Sequence, residues 1–266
     1  MIVDCHTHID FPDNQLDFDT HVTGCEQADY AFVLASNADS NKIIGRYIAN
    51  FDKMIGFAAF NPLRDKVDVA SVAAVLDKGR FKGAVIYPSQ CGFHPCHTRA
   101  FRFYESVVEL GIPVFFHCSR PATDAVMQYA QPMLIDEVAR EFPDLKIILG
   151  SMGAPFFDQA VHLISTHPNV FGDLTIKHTK VWQTYNTVLK AHEAGIMKKL
   201  IFGSGFPDAT AQSCIETLLG FNKLLANTNL PTVPRESIRG IIERNVFELL
   251  GIEVEGKAGA QEEVLS

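Results

Sequence analysis

The sequence of 266 residues has little of what marks membrane proteins, nucleic-acid-binding proteins or secreted proteins. No run of about 20 apolar residues occurs, so no transmembrane helix is expected. Acidic residues outnumber basic ones by 31 to 23, and the net charge of −8 argues against a nucleic-acid partner, which a clustered basic surface would bind. The N-terminus has neither a basic n-region nor an apolar h-region, which predicts a chain without a signal peptide and a cytoplasmic location.

Cysteine is also scarce and shows no framework. The six cysteines are scattered along a chain large enough to build a core without disulfides, so we expect reduced thiols. Cys91 and Cys96 lie close together in sequence, but no second pair completes a zinc knuckle. A structural cysteine–zinc site is therefore not expected.

The chain is instead rich in short apolar runs of Val, Ile and Phe that alternate with longer helical patterns. Hydrophobic residues make up 47% of the chain, and runs this apolar suit strands buried on both faces of a parallel sheet. Repeated alternation of strand and helix predicts a single-domain α/β fold, a (β/α)8 TIM barrel over residues 1–252, with a polar tail over residues 253–266. The eight predicted strands are Ile2–Cys5, Ala31–Ala35, Ile55–Phe60, Gly83–Tyr87, Val114–Cys118, Lys146–Gly150, Val170–Leu174 and Leu200–Ser204.

Helical spacing of apolar residues marks the segments between these runs. The stretch Ser71–Gly79 predicts a helix that ends with Gly79 as its C-terminal cap, and Phe101–Leu110 predicts another. Near the end of the chain, Ser237–Gly251 predicts one amphipathic helix.

Histidine is the unusual residue type, with ten in the chain. The active site of a TIM barrel lies at the C-terminal ends of its strands, and the first predicted strand ends in His6-Thr7-His8. Side chains at i and i+2 on a strand point the same way, so both imidazoles can face the barrel mouth. His117 ends the fifth strand, on the opposite wall. Three neutral imidazoles could hold zinc or a similar divalent ion with a position open for water, whereas the alternative is that they are buried structural histidines.

Further segments accompany these histidines in a pattern shared by one enzyme family. They are Val3–His8, Phe81–Val85, Glu109–His117, Lys146–Gly150, Asn169–Asp173, Leu200–Pro207 and Ile238–Ile252. With them the chain resembles the amidohydrolase superfamily, and within it the amidohydrolase-related branch that contains aminocarboxymuconate-semialdehyde decarboxylase. The resemblance covers residues 1 to 252.

The resemblance implies a set of site residues. Members of this branch bind a metal through a His-x-His on strand one, a His on strand five and an Asp that ends strand eight, and a His on strand six assists the chemistry. His6, His8 and His117 match the first three positions. Ser151 stands where the family has the strand-six histidine, and Gly205 stands where it has the aspartate.

These two replacements remove specific chemistry. In the family the strand-eight carboxylate ligates the metal and accepts a proton from water bound there, and Gly205 can do neither. A three-histidine site of net charge +2 would still resemble the zinc site of carbonic anhydrase and could lower the pKa of bound water to about 7. Ser151 is a poor general acid or base near neutral pH.

Nearby polar residues are candidates to replace the missing groups. Asp173 and Asp208 are the candidate catalytic carboxylates, although Asp208 also suits a helix N-cap. His94 and His97, on the loop after strand four, are candidates for substrate binding. Arg120 could pair with a substrate carboxylate, and a surface ion pair is its alternative role. The remaining histidines are expected at the surface: His21, His162, His167, His178 and His192.

The sequence leaves three functional hypotheses. The first is a metal-dependent hydrolase, or a non-oxidative decarboxylase, that uses one divalent ion, expected to be zinc, and a metal-activated water on a small carboxylated or cyclic substrate. The second is a degenerate barrel that serves as a binding or partner subunit. The third is a metal-independent lyase or isomerase that uses Asp173 or Asp208 directly. Self-association into a homo-oligomer is possible under each hypothesis.

Overall fold

Eight parallel strands form one sheet in chain order, which confirms the predicted (β/α)8 barrel. The structure is a computed structural model and describes residues 1–11, 14–15, 18–117, 124–175 and 179–254. Each predicted strand is present with small shifts at its ends. The strands are β1 Val3–Thr7, β2 Tyr30–Leu34, β3 Met54–Ala59, β4 Gly83–Ile86, β5 Val114–Phe116, β6 Ile147–Leu149, β7 Val170–Thr175 and β8 Leu200–Gly203.

Helices follow the strands, and among the described residues none is long and apolar enough to cross a membrane. A short antiparallel ladder pairs Asp10–Phe11 with Asn14–Gln15 after β1. Short 3-10 segments occur at Met127–Ala130, Pro132–Ile135, Gly150–Gly153, Met197–Lys199 and Phe221–Leu225. The α-helices are α1 Phe18–Gly24, α2 Ala38–Ile48, α3 Val69–Gly79, α4 Pro88–Cys91, α5 Thr98–Glu109, α6 Asp136–Glu141, α7 Phe157–Thr166, α8 Val181–Glu193, α9 Ala211–Leu219, α10 Arg235–Ile242 and α11 Val246–Leu250.

The barrel closes between β1 and the segment that follows β8. The Gly205 amide donates to the His6 carbonyl at 2.9 Å, and the His8 amide donates to the Phe206 carbonyl at 3.0 Å. Thr7 and Phe206 form a parallel bridge between these two segments. The backbone on either side of Thr7 therefore belongs to the closing seam of the barrel.

The pairing of β1 with β2 changes register along its length. Val3 pairs with Tyr30, but Thr7 pairs with Val33, and the irregularity lies between Asp4 and Thr7. A bulge of this kind re-aims side chains, and such bulges are frequent next to active sites. Here it lies in the part of β1 that carries the histidines.

Aromatic side chains fill the barrel beneath its mouth. The Phe115 ring is fully buried and meets the His6 ring edge to face, with centroids 5.2 Å apart. Phe32 and Phe57 are also fully buried, and their centroids lie 4.8 Å apart. The interior of the barrel beneath the histidines is therefore apolar and closely packed.

Two predicted helix details are wrong. Gly79 is the last residue of α3, and the left-handed conformation falls to Arg80, whose φ is 57°. A side chain at Gly79 would overlap the ring of Phe81, so close packing explains this glycine. The single helix predicted over Ser237–Gly251 is two helices, and the second, α11, has Asn245 as its N-cap, whose side chain accepts from the Glu248 amide.

The prediction that five histidines lie at the surface is wrong for two of them. His21 is fully buried and hydrogen-bonded to Thr7 and Tyr47. His167 is 9% exposed and bonds the Asp136 carboxylate at 2.8 Å. His178 lies outside the described residues.

Burial of His21 predicts a stability that depends on pH. Removal from water lowers the pKa of His21 from about 6.5 to about 4. As pH falls from 6.5 towards 4, the unfolded chain takes up a proton that the folded His21 refuses, so the free energy of unfolding decreases. Asp4 acts in the opposite direction, because burial raises its pKa to about 6 and the folded state then retains a proton in this range.

Comparison with His21→Gln isolates the histidine, since Asp4 is common to both proteins. We expect the free energy of unfolding of wild type, minus that of the variant, to be about 2 kcal/mol lower at pH 5 than at pH 7. Urea unfolding at both pH values, with a chelator present, measures it. A difference that stays constant with pH would show that His21 does not titrate in this way.

Candidate metal centre

Three buried imidazoles meet at the C-terminal end of the barrel. His6, His8 and His117 are each at most 4% exposed. Their ring centroids form a nearly equilateral triangle with sides of 5.1, 5.2 and 5.3 Å. One ligand nitrogen from each lies within 4.8 Å of the others, and among the described residues no other group of His, Cys, Asp or Glu has this arrangement.

Hydrogen bonds at Nδ1 of His6 and of His8 determine which ring nitrogen carries the proton. His6 Nδ1 is 2.5 Å from Asp173 Oδ2, and His8 Nδ1 is 3.0 Å from the Leu34 carbonyl oxygen. A carboxylate and a carbonyl only accept, so each ring carries its proton on Nδ1. The Nε2 atoms are then unprotonated when the rings are neutral.

These two Nε2 atoms lie only 3.2 Å apart. Two unprotonated nitrogens at that distance repel each other unless a cation or a proton lies between them. Two nitrogens bound to one tetrahedral zinc ion lie about 3.3 Å apart, given zinc–nitrogen bonds of about 2.0 to 2.1 Å. The residues therefore fit a divalent ion held by His6, His8 and His117.

Asp173 reaches His6 from two strands away. It lies on β7, paired with Ile201 of β8, yet its carboxylate contacts a ring on β1. Gly203 of β8 makes this possible, because a Cβ atom there would overlap Asp173 Oδ1 and lie 2.9 Å from the Cβ of His6. Asp173 Oδ2 also accepts from the Ser151 amide at 2.9 Å and the Thr175 hydroxyl at 2.7 Å.

Ser151 and Gly205, where the family resemblance implies a histidine and an aspartate, both have a positive φ. Ser151 adopts a left-handed conformation with φ of 49°, which aims its amide at Asp173. Gly205 has φ of 68°, and a Cβ atom there would lie 2.6 Å from Thr175 Cγ2. A carboxylate at position 205 therefore requires both an uncommon backbone conformation and movement of Thr175.

A second buried carboxyl group, that of Asp4, lies on β1 two residues before His6. Asp4 is fully buried and accepts from the Ser204 amide at 2.9 Å and the His6 amide at 3.3 Å. Burial raises the pKa of Asp4 to about 6, although the hydrogen bonds from Ser204 and His6 oppose the shift. Asp4 thus ties β1 to the end of β8 and leaves a carboxyl group that ionises only at a free-energy cost.

Asp208, His94 and His97 do not belong to the group formed by the three imidazoles. Asp208 is exposed, and the cap of α9 is Thr210, so the expected N-cap role of Asp208 is wrong. His97 is exposed and caps α5 by accepting from the Arg99 amide at 3.1 Å. His94 is half-buried and accepts from the Cys96 amide at 3.0 Å. The position of Arg120 falls outside the described residues.

Sequence reasoning missed three residues around the site. Thr175 lies two residues after Asp173 on β7, so strand alternation could have placed it on the same face. Gly203 gave no signal, because its importance arises from the Asp173 side chain that passes it. Tyr87 places its ring 4.9 Å from that of His117 and donates to the Ala35 carbonyl at 2.7 Å.

Comparison with solved structures shows the same fold in several proteins. The 2,6-dihydroxybenzoate decarboxylase of Rhizobium has a TM-score of 0.71 at 13% identity, over 94% of this chain and 98% of that one. The probable 2-pyrone-4,6-dicarboxylic acid hydrolase of Acinetobacter baumannii, with citric acid bound, has a TM-score of 0.68 at 13% identity over 94% and 99%. A dihydroxybenzoic acid decarboxylase from a Polaromonas species, with manganese and 2-nitroresorcinol bound, has a TM-score of 0.68 at 13% identity over 94% and 96%.

Comparison with curated proteins gives no significant match. The family comparison is decisive, because residues 3–252 match the amidohydrolase family and so cover nearly the whole described chain. The match includes all eight strands and the three convergent histidines. The chain therefore belongs to the amidohydrolase family.

Proposed function

We propose that the protein is a metal-dependent enzyme, a hydrolase or a non-oxidative decarboxylase, that acts on a small carboxylated or cyclic substrate. The observation that carries the proposal is the pair of Nε2 atoms of His6 and His8, 3.2 Å apart with both protons held on Nδ1. His117 completes a buried set of three nitrogen donors. Membership of the amidohydrolase family supports the same reading.

The donor set favours zinc. His6, His8 and His117 would hold the ion, and neutral imidazoles suit zinc better than magnesium or calcium. When bound, such an ion supplies a Lewis acid that polarises a substrate oxygen and lowers the pKa of water. The Polaromonas decarboxylase holds manganese, so manganese is the competing choice in the metal analysis below.

Charge at the site favours an anionic substrate. Position 205 contributes no carboxylate, and the carboxylate of Asp173 is turned towards Nδ1 of His6, away from the paired Nε2 atoms of His6 and His8. A divalent ion among three neutral rings would therefore leave uncompensated positive charge, which attracts a carboxylate. The structural neighbours are consistent with this class, since one holds citric acid and another is a dihydroxybenzoate decarboxylase.

Asp173 acts in this proposal through His6. It has no solvent exposure, and its Oδ2 atom accepts from His6, Ser151 and Thr175. A carboxylate held by three donors is restrained in position, so it orients the imidazole and increases the electron density on Nε2. Asp173 is thus a positioning residue, and the proton acceptor or donor for the substrate must be another group.

The first experiment measures the metal content of the purified protein. Protein expressed with abundant Zn²⁺ and Mn²⁺ is expected to retain about one divalent ion per chain after dialysis, because three histidines form one site. Plasma mass spectrometry identifies the ion. His117→Ala is expected to lose it, whereas His162→Ala, at an exposed position on α7, is expected to keep it.

Two assays separate the reaction types. Carbon dioxide release from ortho-hydroxybenzoates reports decarboxylation, and acid release from cyclic dicarboxylate lactones reports hydrolysis. Folded wild-type protein that binds neither Zn²⁺ nor Mn²⁺ would contradict the proposal of a metal-dependent enzyme.

The role of Asp173 gives a second prediction. Asp173→Asn keeps an acceptor for the His6 proton but removes the charge, and we expect metal affinity to fall by about 10- to 100-fold. Asp208→Asn makes the same chemical change at an exposed carboxylate and is expected to leave affinity unchanged. Competition with a chromophoric chelator measures both dissociation constants. Equal affinities for the two variants would refute the role given to Asp173.

A degenerate barrel that binds a ligand or partner without catalysis is the second candidate function. The observation that favours it is local: Gly205 has a positive φ that favours glycine, and Thr175 fills the space beside it. The backbone and packing at position 205 therefore support this candidate, because they favour glycine over the aspartate that the family resemblance implies there.

Restoration of the family residues tests this candidate. Ser151→His and Gly205→Asp are combined with Thr175→Ser, which removes the methyl group near position 205 and keeps the hydroxyl that donates to Asp173. A degenerate barrel is expected to gain metal affinity and turnover on family substrates, relative to a Thr175→Ser control. The absence of any gain in the folded variant would argue against degeneracy.

A cytoplasmic location and self-association stay predictions from the sequence.

A further inference from the structure

A buried polar chain lies behind β1, on the side away from the metal centre. Thr7, the last residue of β1, lies between His6 and His8, and its side chain points outward to α1 and α2. His21 of α1 lies 2.8 Å from the Thr7 hydroxyl through Nε2, and 2.7 Å from the Tyr47 hydroxyl of α2 through Nδ1. Thr7, His21 and Tyr47 are all fully buried.

The direction of every hydrogen bond in this chain is determined. The Thr7 hydroxyl donates its only proton to the Phe32 carbonyl at 2.6 Å, so it must accept from His21 Nε2. His21 is neutral near pH 7, because burial lowers its pKa to about 4. Its Nδ1 atom is then unprotonated and accepts from the Tyr47 hydroxyl. An imidazole in one tautomer thus connects two helices to β1.

The hydrogen-bonded chain of Thr7, His21 and Tyr47 contacts β1 where its pairing with β2 is irregular. The register between β1 and β2 shifts between Asp4 and Thr7, so regular pairing does not by itself fix this segment. Thr7 reaches Phe32 of β2, and the next residue, His8, reaches Leu34 of the same strand. Because alternate residues of a strand point to opposite faces, an outward anchor at Thr7 keeps its neighbours His6 and His8 turned inward.

Helix α1 also contacts the closing seam of the barrel. The His21 ring meets the Phe206 ring edge to face at 5.2 Å. Gly24 lies so close to Phe206 that a side chain there would overlap the ring. Phe206 accepts the His8 amide through its carbonyl at 3.0 Å. His21 therefore braces both Thr7 and the backbone that pairs with His8.

We infer that His21, through Thr7, is a positioning residue for the metal centre and holds His6 and His8 in their convergent arrangement. This role rests on the proposed metal site and adds a third layer to it, outside Asp173 and Leu34. The Tyr47 hydroxyl is the outermost member and holds His21 in the required tautomer.

Near-isosteric substitutions test the inference in the full chain. Thr7→Val removes the hydroxyl and keeps the shape, and we expect zinc affinity to fall about tenfold, at the lower end of the effect of outer-shell partners. Thr7→Ser restores the hydroxyl and is expected to bind within twofold of wild type. His21→Gln and Tyr47→Phe are expected to weaken zinc binding as well, with the smaller loss in Tyr47→Phe, so the test does not depend on the folding of one variant.

Ser106→Ala is the matched control for stability. Like Thr7, Ser106 is a buried hydroxyl that donates to a carbonyl, Val67, at 2.6 Å, but it lies on α5 and is not part of this chain. It should lower the melting temperature without changing zinc affinity. If Thr7→Val and His21→Gln behave like Ser106→Ala, with lower melting temperature and wild-type affinity, the inference is overturned.

Nitrogen NMR of the metal-free protein separates this inference from the proposed function. Wild type and Thr7→Ser are expected to keep the Nδ1 protons of His6 and His8 that point to Asp173 and the Leu34 carbonyl, whereas Thr7→Val should lose them in part. This result would support the positioning role even if the wild type bound no zinc, which would overturn only the proposed function. Unchanged tautomers in Thr7→Val and His21→Gln would overturn the positioning role.

Discussion

The bond between His6 and Asp173 is the interaction on which the site depends. It spans β1 and β7 across β8, and it fixes the His6 proton on Nδ1, so that Nε2 faces His8. Without it, His6 could carry its proton on Nε2 and donate it to Nε2 of His8, and no cation would be needed between the rings. Burial strengthens the bond, because neither partner is exposed by more than a few per cent and water competes little.

Small residues make this bond sterically possible. Gly203 leaves the space through which the Asp173 carboxylate passes on its way to His6. Gly205, two residues later, has a left-handed backbone conformation. It lies in the closing seam, and the Gly205 amide donates to the His6 carbonyl. The absence of a carboxylate at position 205 and the presence of one at 173 are thus parts of one packing arrangement, in which Asp173 holds the His6 ring through its Nδ1 atom.

Much of this arrangement could be predicted from the sequence, and the rest could not for identifiable reasons. The strands, and the inward direction of His6 and His8, follow from local apolar runs and from alternation along a strand. The contact of Asp173 with His6 depends on two strand pairings and a missing side chain, which no local pattern encodes. His21 looked like a surface histidine because its helix, α1, is short and its polar partners lie elsewhere in the chain.

Anomalous diffraction at the zinc edge, from crystals of the zinc-loaded protein, would show whether three neutral histidines hold one divalent ion without a carboxylate. We expect a single peak ligated by His6, His8 and His117, with Asp173 still bonded to His6 Nδ1 and not to the ion. A peak ligated by Asp173, or no peak among these histidines, would contradict it.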